Sequence, residues 1–373
     1  MDTSSFSSDY AEARDKFLTA ASALGAVLAH YANPNRGPGG ETLATDVAWL
    51  GPSDAPKAAV LISGTHGVEG FCGSGAQVAW MRSAAARRLP AGVAVLLVHA
   101  INPYGFAWLR RVTEEGVDLN RNYVDFDRPL PENRGYDELA ADFLPEEIEG
   151  PAFEAAMARI EAWRATHGDA AYFAAYSAGQ YRHPLGFFYG GAAPTWSRRT
   201  TESICARFLA DRRQVAGIDF HTGLGPHGYG EPICHHEPDT PALARARAWY
   251  GDSLTEPRRG TSTSQARSGL THFGYARALP GVELNFVTLE YGTYARERGT
   301  VVFREDHWLH RKYGDGAFEA PRGRAIKAAI RKHFYPDTQD WKEMVLWRAF
   351  QVIRQTVEGL GSSQAQRREG IGP

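Results

Sequence analysis

Two histidines and two glutamates in this sequence are easier to explain by chemistry than by packing. His66 and Glu69 lie three residues apart in "GTHGVEG" (64–70), His221 lies in "DFHTG" (219–223), and Glu290 lies in "LEYGT" (289–293). Two imidazoles and one carboxylate are the donor set that catalytic zinc commonly uses, leaving a fourth position for water. A carboxylate outside that set is then needed to take a proton from the water, and Glu290 is the candidate. The His-x-x-Glu pair alone is a weak signal. A lone histidine in a turn is as readily a hydrogen-bonded turn residue, and His307 and His310 show that imidazoles occur elsewhere. What core packing does not explain is the recurrence of such groups at three glycine-flanked places.

The stretch "HAINPYGFAWLRRVTEEGVDLNRNYVDF" (99–126) carries Arg110, Arg111, Asn120 and Arg121 in a loop-like setting. An arginine fork binds a carboxylate bidentately, and a second arginine can stabilise the oxyanion formed when water attacks a carbonyl. Surface ion pairing is the plain alternative, because Glu114, Glu115 and Asp118 lie close by. "CHHEP" (234–238) places a thiol beside two histidines. On a strand Cys234 and His236 share a side and His235 does not, so pocket lining or plain surface is a better reading than a second metal site. Cys72 suits a small buried residue at a helix start, and His227 can line a pocket after His221. The segment 260–281 is rich in Gly, Ser and Thr and reads equally as a lid or as an ordinary connection. No phosphate-binding loop, dinucleotide fingerprint or nucleophile elbow occurs.

These groups need a frame to bring them together. Short apolar runs at 58–63, 93–99 and 215–220 read as buried parallel strands, and the mixed run 283–289 suits a fourth. Helical patterns fall at 10–31, 75–86, 152–166, 196–211, 320–333 and 339–360, while 33–42 reads as a Gly- and Pro-rich loop. Strand and helix alternate, which predicts a largely parallel sheet covered on both faces. Ligands of such sheets bind beyond the carboxyl ends of the strands, where His66, Glu69, His221 and Glu290 are expected. The expected organisation is one domain over 1–360, with an insertion at about 125–190 and a flexible tail at 361–373.

Composition narrows the partners. The chain has 373 residues, 43% hydrophobic and 23% charged, with a net charge of −2. That balance argues against nucleic acid or an anionic membrane as an obligate partner. Three scattered cysteines and an acidic start without an apolar run predict a cytoplasmic protein without a disulfide framework. Self-association into a homo-oligomer is left open.

Taken together, "GTHGVEG", "NPYGF…DLNRNY", "DFHTG" and "LEYGT" resemble the zinc carboxypeptidase superfamily, the M14-type metallopeptidases. More narrowly they are similar to a bacterial subgroup described as a domain of unknown function (DUF2817). The resemblance implies one three-layer α/β/α domain with a mixed, mostly parallel sheet of about eight strands. It implies one zinc ion (Zn2+) on His66, Glu69 and His221, with Glu290 as general base and acid. Asn120 and Arg121 would hold a terminal carboxylate of the substrate. Arg111, or failing that Arg110, would polarise the scissile carbonyl. The substrate implied is a small peptide, or an N-acyl amino acid as in the aspartoacylase and succinylglutamate desuccinylase branch, whose arginine spacing is closer. A non-catalytic zinc-binding protein on the same fold is the third reading. Tyr294, four residues after Glu290, is a guess at the tyrosine that closes over substrate.

Overall fold

Seven strands form a single mixed sheet in the structure, a computed structural model that describes residues 1–369. They are β1 (Val27–Arg36), β2 (Thr42–Leu50), β3 (Lys57–Ile62), β4 (Val93–His99), β5 (Gln214–His227), β6 (Gly230–Cys234) and β7 (Glu283–Gly292). Their order across the sheet is β1-β2-β4-β3-β5-β7-β6. The central strands β4, β3, β5 and β7 run parallel, and β1, β2 and β6 join antiparallel at the two edges.

The central strands are buried on both faces, which is why "KAAVLI" and "VAVLLVH" read as unbroken apolar runs. Alternate side chains feed two cores. Leu61, Leu97 and Ile218 meet Phe17, Phe71, Trp80 and Trp341 from the helices on one face. Val60, Ile62, Leu96 and Val98 meet Ile204, Cys205 and Tyr275 on the other. Each such side chain contributes roughly 1.5–3 kcal/mol of burial, so the sheet is a rigid platform for whatever its ends carry. A third cluster joins the 125–190 segment to the helix Arg296–Tyr313 through Tyr136, Phe143, Tyr176, Phe188, Phe303 and Trp308. No helix among the described residues is long and apolar enough to cross a membrane.

Several expectations are corrected. The helix predicted over 10–31 ends at Ala23, and the chain enters β1 at Val27. Gly25 stands between them at φ +67°, a left-handed conformation that glycine adopts without strain and that stops a helix. The loop predicted over 33–42 shrinks to a turn between β1 and β2, neither of which was anticipated. Strand β6 was also missed, and the sheet has seven strands rather than about eight. Strand β5 runs through His221 instead of stopping before it. The helix from Gln339 continues to Glu369, so the tail expected to be flexible begins inside it; 370–373 lie outside the described residues.

Candidate metal centre and cleft

The turn carrying His66 and Glu69 is shaped by its glycines. Gly64, two residues past β3, takes φ +72°, and residues 67–69 form one tight helical turn that leads into the helix Gly70–Arg82. A Cβ on Gly67 would sit 2.0 Å from the backbone of Gly105, so only glycine permits this approach. The same turn is tied to the arginine stretch, because Gly67 N donates to Arg111 O (3.2 Å) and Val68 N to Arg110 O (2.8 Å).

His221 enters from β5, where its Cα is in register with that of Glu290 on β7. The three predicted ligands converge. His66 Nδ1 lies 2.9 Å from Glu69 Oε1, His221 Nδ1 lies 3.2 Å from Glu69 Oε2, and the two Nδ1 atoms are 3.1 Å apart. They form the group among the described residues that could hold a metal ion, with ligand atoms all within 4.8 Å of one another.

Each imidazole is held from behind by a carboxylate. His66 Nε2 is 3.0 Å from Asp118 Oδ1, and His221 Nε2 is 2.8 Å from Asp219 Oδ2. Asp219 is itself held by Thr65 Oγ1 at 2.8 Å. With a ring N–H given to each carboxylate, both Nδ1 atoms face one point beside the Glu69 oxygens, a place that a ring proton shared with Glu69 or a metal cation can fill. Two nitrogens and a carboxylate in that disposition fit zinc. Burial would raise the pKa of Glu69, but His66, His221 and Arg111 outweigh it and hold the carboxyl well below the usual range.

Glu290 lines the same cleft, which spans about 960 Å³ including its open mouth. Its Oε1 accepts a hydrogen bond from Leu224 N at 3.0 Å. Burial first, and the Glu69 charge second, push its pKa up to about 7. A carboxylate so tuned can take and return a proton near neutral pH.

The arginines part company. Arg111 lines the cleft and is braced by Glu69 Oε1 (2.9 Å) and Asp118 Oδ2 (3.1 Å). The ion-pair alternative is therefore right about Asp118, although the pair lies half-buried at the cleft rather than on the outer surface. Adjacent Arg110 points elsewhere, to Asp306 Oδ2 at 3.2 Å, while Lys327 Nζ donates to Asp306 Oδ1 at 2.6 Å. It lies outside the cleft lining, so the structure does not bring it to the candidate site. Arg121 and Asn120 do line the cleft. The Asn120 side chain is oriented by Thr271, whose N and Oγ1 donate to its Oδ1 at 2.8 and 3.1 Å. Tyr294 lines a shallower groove beside the mouth, together with His227.

In "CHHEP" the burial is real but no metal group forms there among the described residues. Cys234 is buried at the end of β6, His236 Nε2 accepts from Phe286 N (3.1 Å), and His235 lines the cleft. Sequence reasoning missed Asp118 and Asp219 as supports of the imidazoles, and Ser177 and Arg267 as wall residues. For Asp219 a signal existed, since residues two apart on a strand share a face.

A mixed α/β sheet with two imidazoles and a carboxylate converging at its strand ends thus defines a candidate metal centre. Residues 6–348 match the family described as "Protein of unknown function (DUF2817)", and the chain belongs to that family. No curated protein sequence matches it. Among solved structures the chain is similar to carboxypeptidase A from Helicoverpa armigera, at 11% identity over 88% of this chain and 75% of that one (TM-score 0.43). It is similar to bovine thrombin-activatable fibrinolysis inhibitor in complex with tick carboxypeptidase inhibitor, at 10% identity over 91% and 98% (TM-score 0.43). Succinylglutamate desuccinylase from Vibrio cholerae is similar at 15% identity over 90% and 72% (TM-score 0.37).

Proposed function

We propose that this chain is a zinc-dependent hydrolase that cleaves an amide bond next to a free carboxylate, in a peptide or an N-acyl amino acid. The observation that carries the reading is the conjunction in one cleft of His66, Glu69 and His221, each imidazole backed by a carboxylate, with Glu290. Zinc, when bound, supplies Lewis acidity that makes water a nucleophile at neutral pH. His66, Glu69 and His221 hold it, and Asp118 and Asp219 keep the two rings in the required tautomer.

Glu290 accepts the proton released as water attacks and later returns it to the leaving amine. In the metal-free protein burial and the Glu69 charge raise its pKa to about 7, and a carboxylate shielded from water in this way is suited to exchanging a proton with substrate. Arg111 faces the cleft with two of its nitrogens fixed on carboxylates, so its charge is positioned before the oxyanion develops. Arg121 and Asn120 anchor the free carboxylate and set the scissile amide at the centre. The test is to incubate the zinc-loaded protein with a mixed library of peptides and N-acyl amino acids and identify products by mass. Cleavage beside a free carboxylate is expected. Stoichiometric zinc with no hydrolysis across the library would replace the enzyme by a zinc-binding protein.

A further inference from the structure

The last helix, Gln339–Glu369, turns one side to the sheet and the other outward. Trp341, Val345, Ala349, Val352 and Leu360 are buried in the core. The outward line reads Asp340, Met344, Trp347, Gln351, Arg354 and Glu358, all exposed and spaced four, three, four, three and four residues apart. A helix side that faces water is expected to be polar throughout, yet Met344 is 41% exposed and Trp347 66%.

These two are not isolated. Seven large hydrophobic side chains are exposed among the described residues, and four of them, Met1, Tyr229, Met344 and Trp347, gather here. The Met1 amino group lies 3.2 Å from Glu343 Oε1. The Arg348 guanidinium stands 5.9 Å from the centre of the Tyr229 ring. Met344 packs beside Gly228, where an added Cβ would lie 2.4 Å from its Sδ. Single apolar residues on a surface need no explanation, whereas a cluster of Trp, Tyr and Met among arginines has the composition of a protein interface.

The patch carries both halves of a fit. Beside Trp347 runs a groove of about 1280 Å³, its open side included, lined by Trp80, Leu89, Pro90, Phe350 and Val357. An exposed indole and an apolar hole therefore share one surface. The charges divide in the same way. Glu343 stands four residues before Trp347, with Asp340 beyond it; Arg354 stands four residues after Phe350 and lines the groove with Arg88. A surface that meets a different protein needs one member of each match, whereas a surface that meets its own copy across a two-fold axis needs both.

We propose that the partner is a second copy of this chain, packed through the last helix as an antiparallel two-fold dimer. The axis passes between Trp347 and Phe350. Trp347 of each copy enters the groove of the other, and Glu343 of each faces Arg354 of the other. No residue that lines the groove also lines the cleft, so the contact is independent of the chemistry performed there.

The experiment is sedimentation equilibrium of the full chain over roughly 1–100 μM. Wild type should run at twice the 41.0 kDa chain mass. Trp347→Asp should leave the circular dichroism unchanged, because the side chain is exposed. It should raise the dimer dissociation constant at least roughly thirtyfold, as loss of a central aromatic anchor does. Glu343→Arg and Arg354→Glu should each weaken the dimer roughly three- to tenfold. The double variant restores both pairs with their signs exchanged and should recover most of that loss. Wild type that stays monomeric throughout overturns the proposal with no variant needed. So does a dimer indifferent to Trp347→Asp, which would use another face, or a double variant no better than its parents, which would deny the antiparallel register. A monomer that instead co-sediments with phosphatidylserine vesicles, and ceases to do so in Trp347→Asp, would give the patch to a lipid surface and overturn the second copy.

Discussion

Glu290→Gln should stabilise the metal-free protein at neutral pH, and the gain should depend on pH in a defined way. Glu290 is buried beside Glu69, and its pKa rises from 4.5 to about 7. Between those values the folded state binds the proton that the unfolded state has lost, so wild-type stability falls as pH rises. The penalty is absent below the unfolded pKa and complete above the folded one. A shift of that size corresponds to about 3 kcal/mol. Glutamine resembles the protonated acid, and its carbonyl can still accept from Leu224 N, so the variant escapes the penalty. Its advantage over wild type should therefore grow by roughly 2–3 kcal/mol between pH 5 and pH 8, most of it by pH 7. For a chain of this length that is a relative gain of roughly 3 °C in Tm. The assay is thermal unfolding of both proteins in chelator at pH 5, 6, 7 and 8. Adding zinc should flatten the difference, because the cation's charge offsets that of Glu69. A stability difference that stays constant across the series, or one that shrinks towards pH 8, would refute the placement of Glu290 as a buried acid beside a second carboxylate.

The remaining expectations concern metal and catalysis. The same Glu290→Gln protein should keep stoichiometric zinc while turnover falls by about 10²–10⁴-fold, read by metal analysis beside steady-state rates; wild-type turnover would remove Glu290 from the mechanism. Asp219→Asn should leave the ligands intact but weaken zinc roughly 10–100-fold in chelator competition, since His221 loses its carboxylate support. Unchanged affinity would mean that Asp219 does not orient the ring. Gly67→Ala puts a Cβ 2.0 Å from the Gly105 backbone, so the ligand turn must move and zinc stoichiometry should collapse; full occupancy at wild-type affinity would show that the turn tolerates displacement.

What could be read from the sequence was set by the range over which each signal acts. The central strands were legible because burial on both faces leaves an apolar run that no neighbour needs to explain. Strands β1 and β2 were not. Val27 and Leu28 continue the helical spacing of Phe17, Leu18 and Leu24, and only Gly25, taking a left-handed turn, marks the change of element. Strand β6 contains Pro232, which argues against a strand unless it lies at an edge; β6 is the last strand of the sheet, paired with β7 on one side and touched on the other by a single bridge to Thr255. Its position could not be inferred before the sheet order was known. The candidate site divides in the same way. His66, Glu69, His221 and Glu290 stand out because polar groups at the ends of buried strands have no packing role. Arg110 and Arg111 cannot be told apart locally. Asp306, 196 positions away, takes the first, and Glu69 takes the second. Arg267 sits in a polar segment with no periodicity, and its place in the cleft wall is fixed by Ser177, 90 positions earlier. A side chain's type is written at its own position, whereas its partner is written wherever the fold brings the chain back. The groups proposed to act at the strand ends were therefore visible, and the wall of the cleft around them was not.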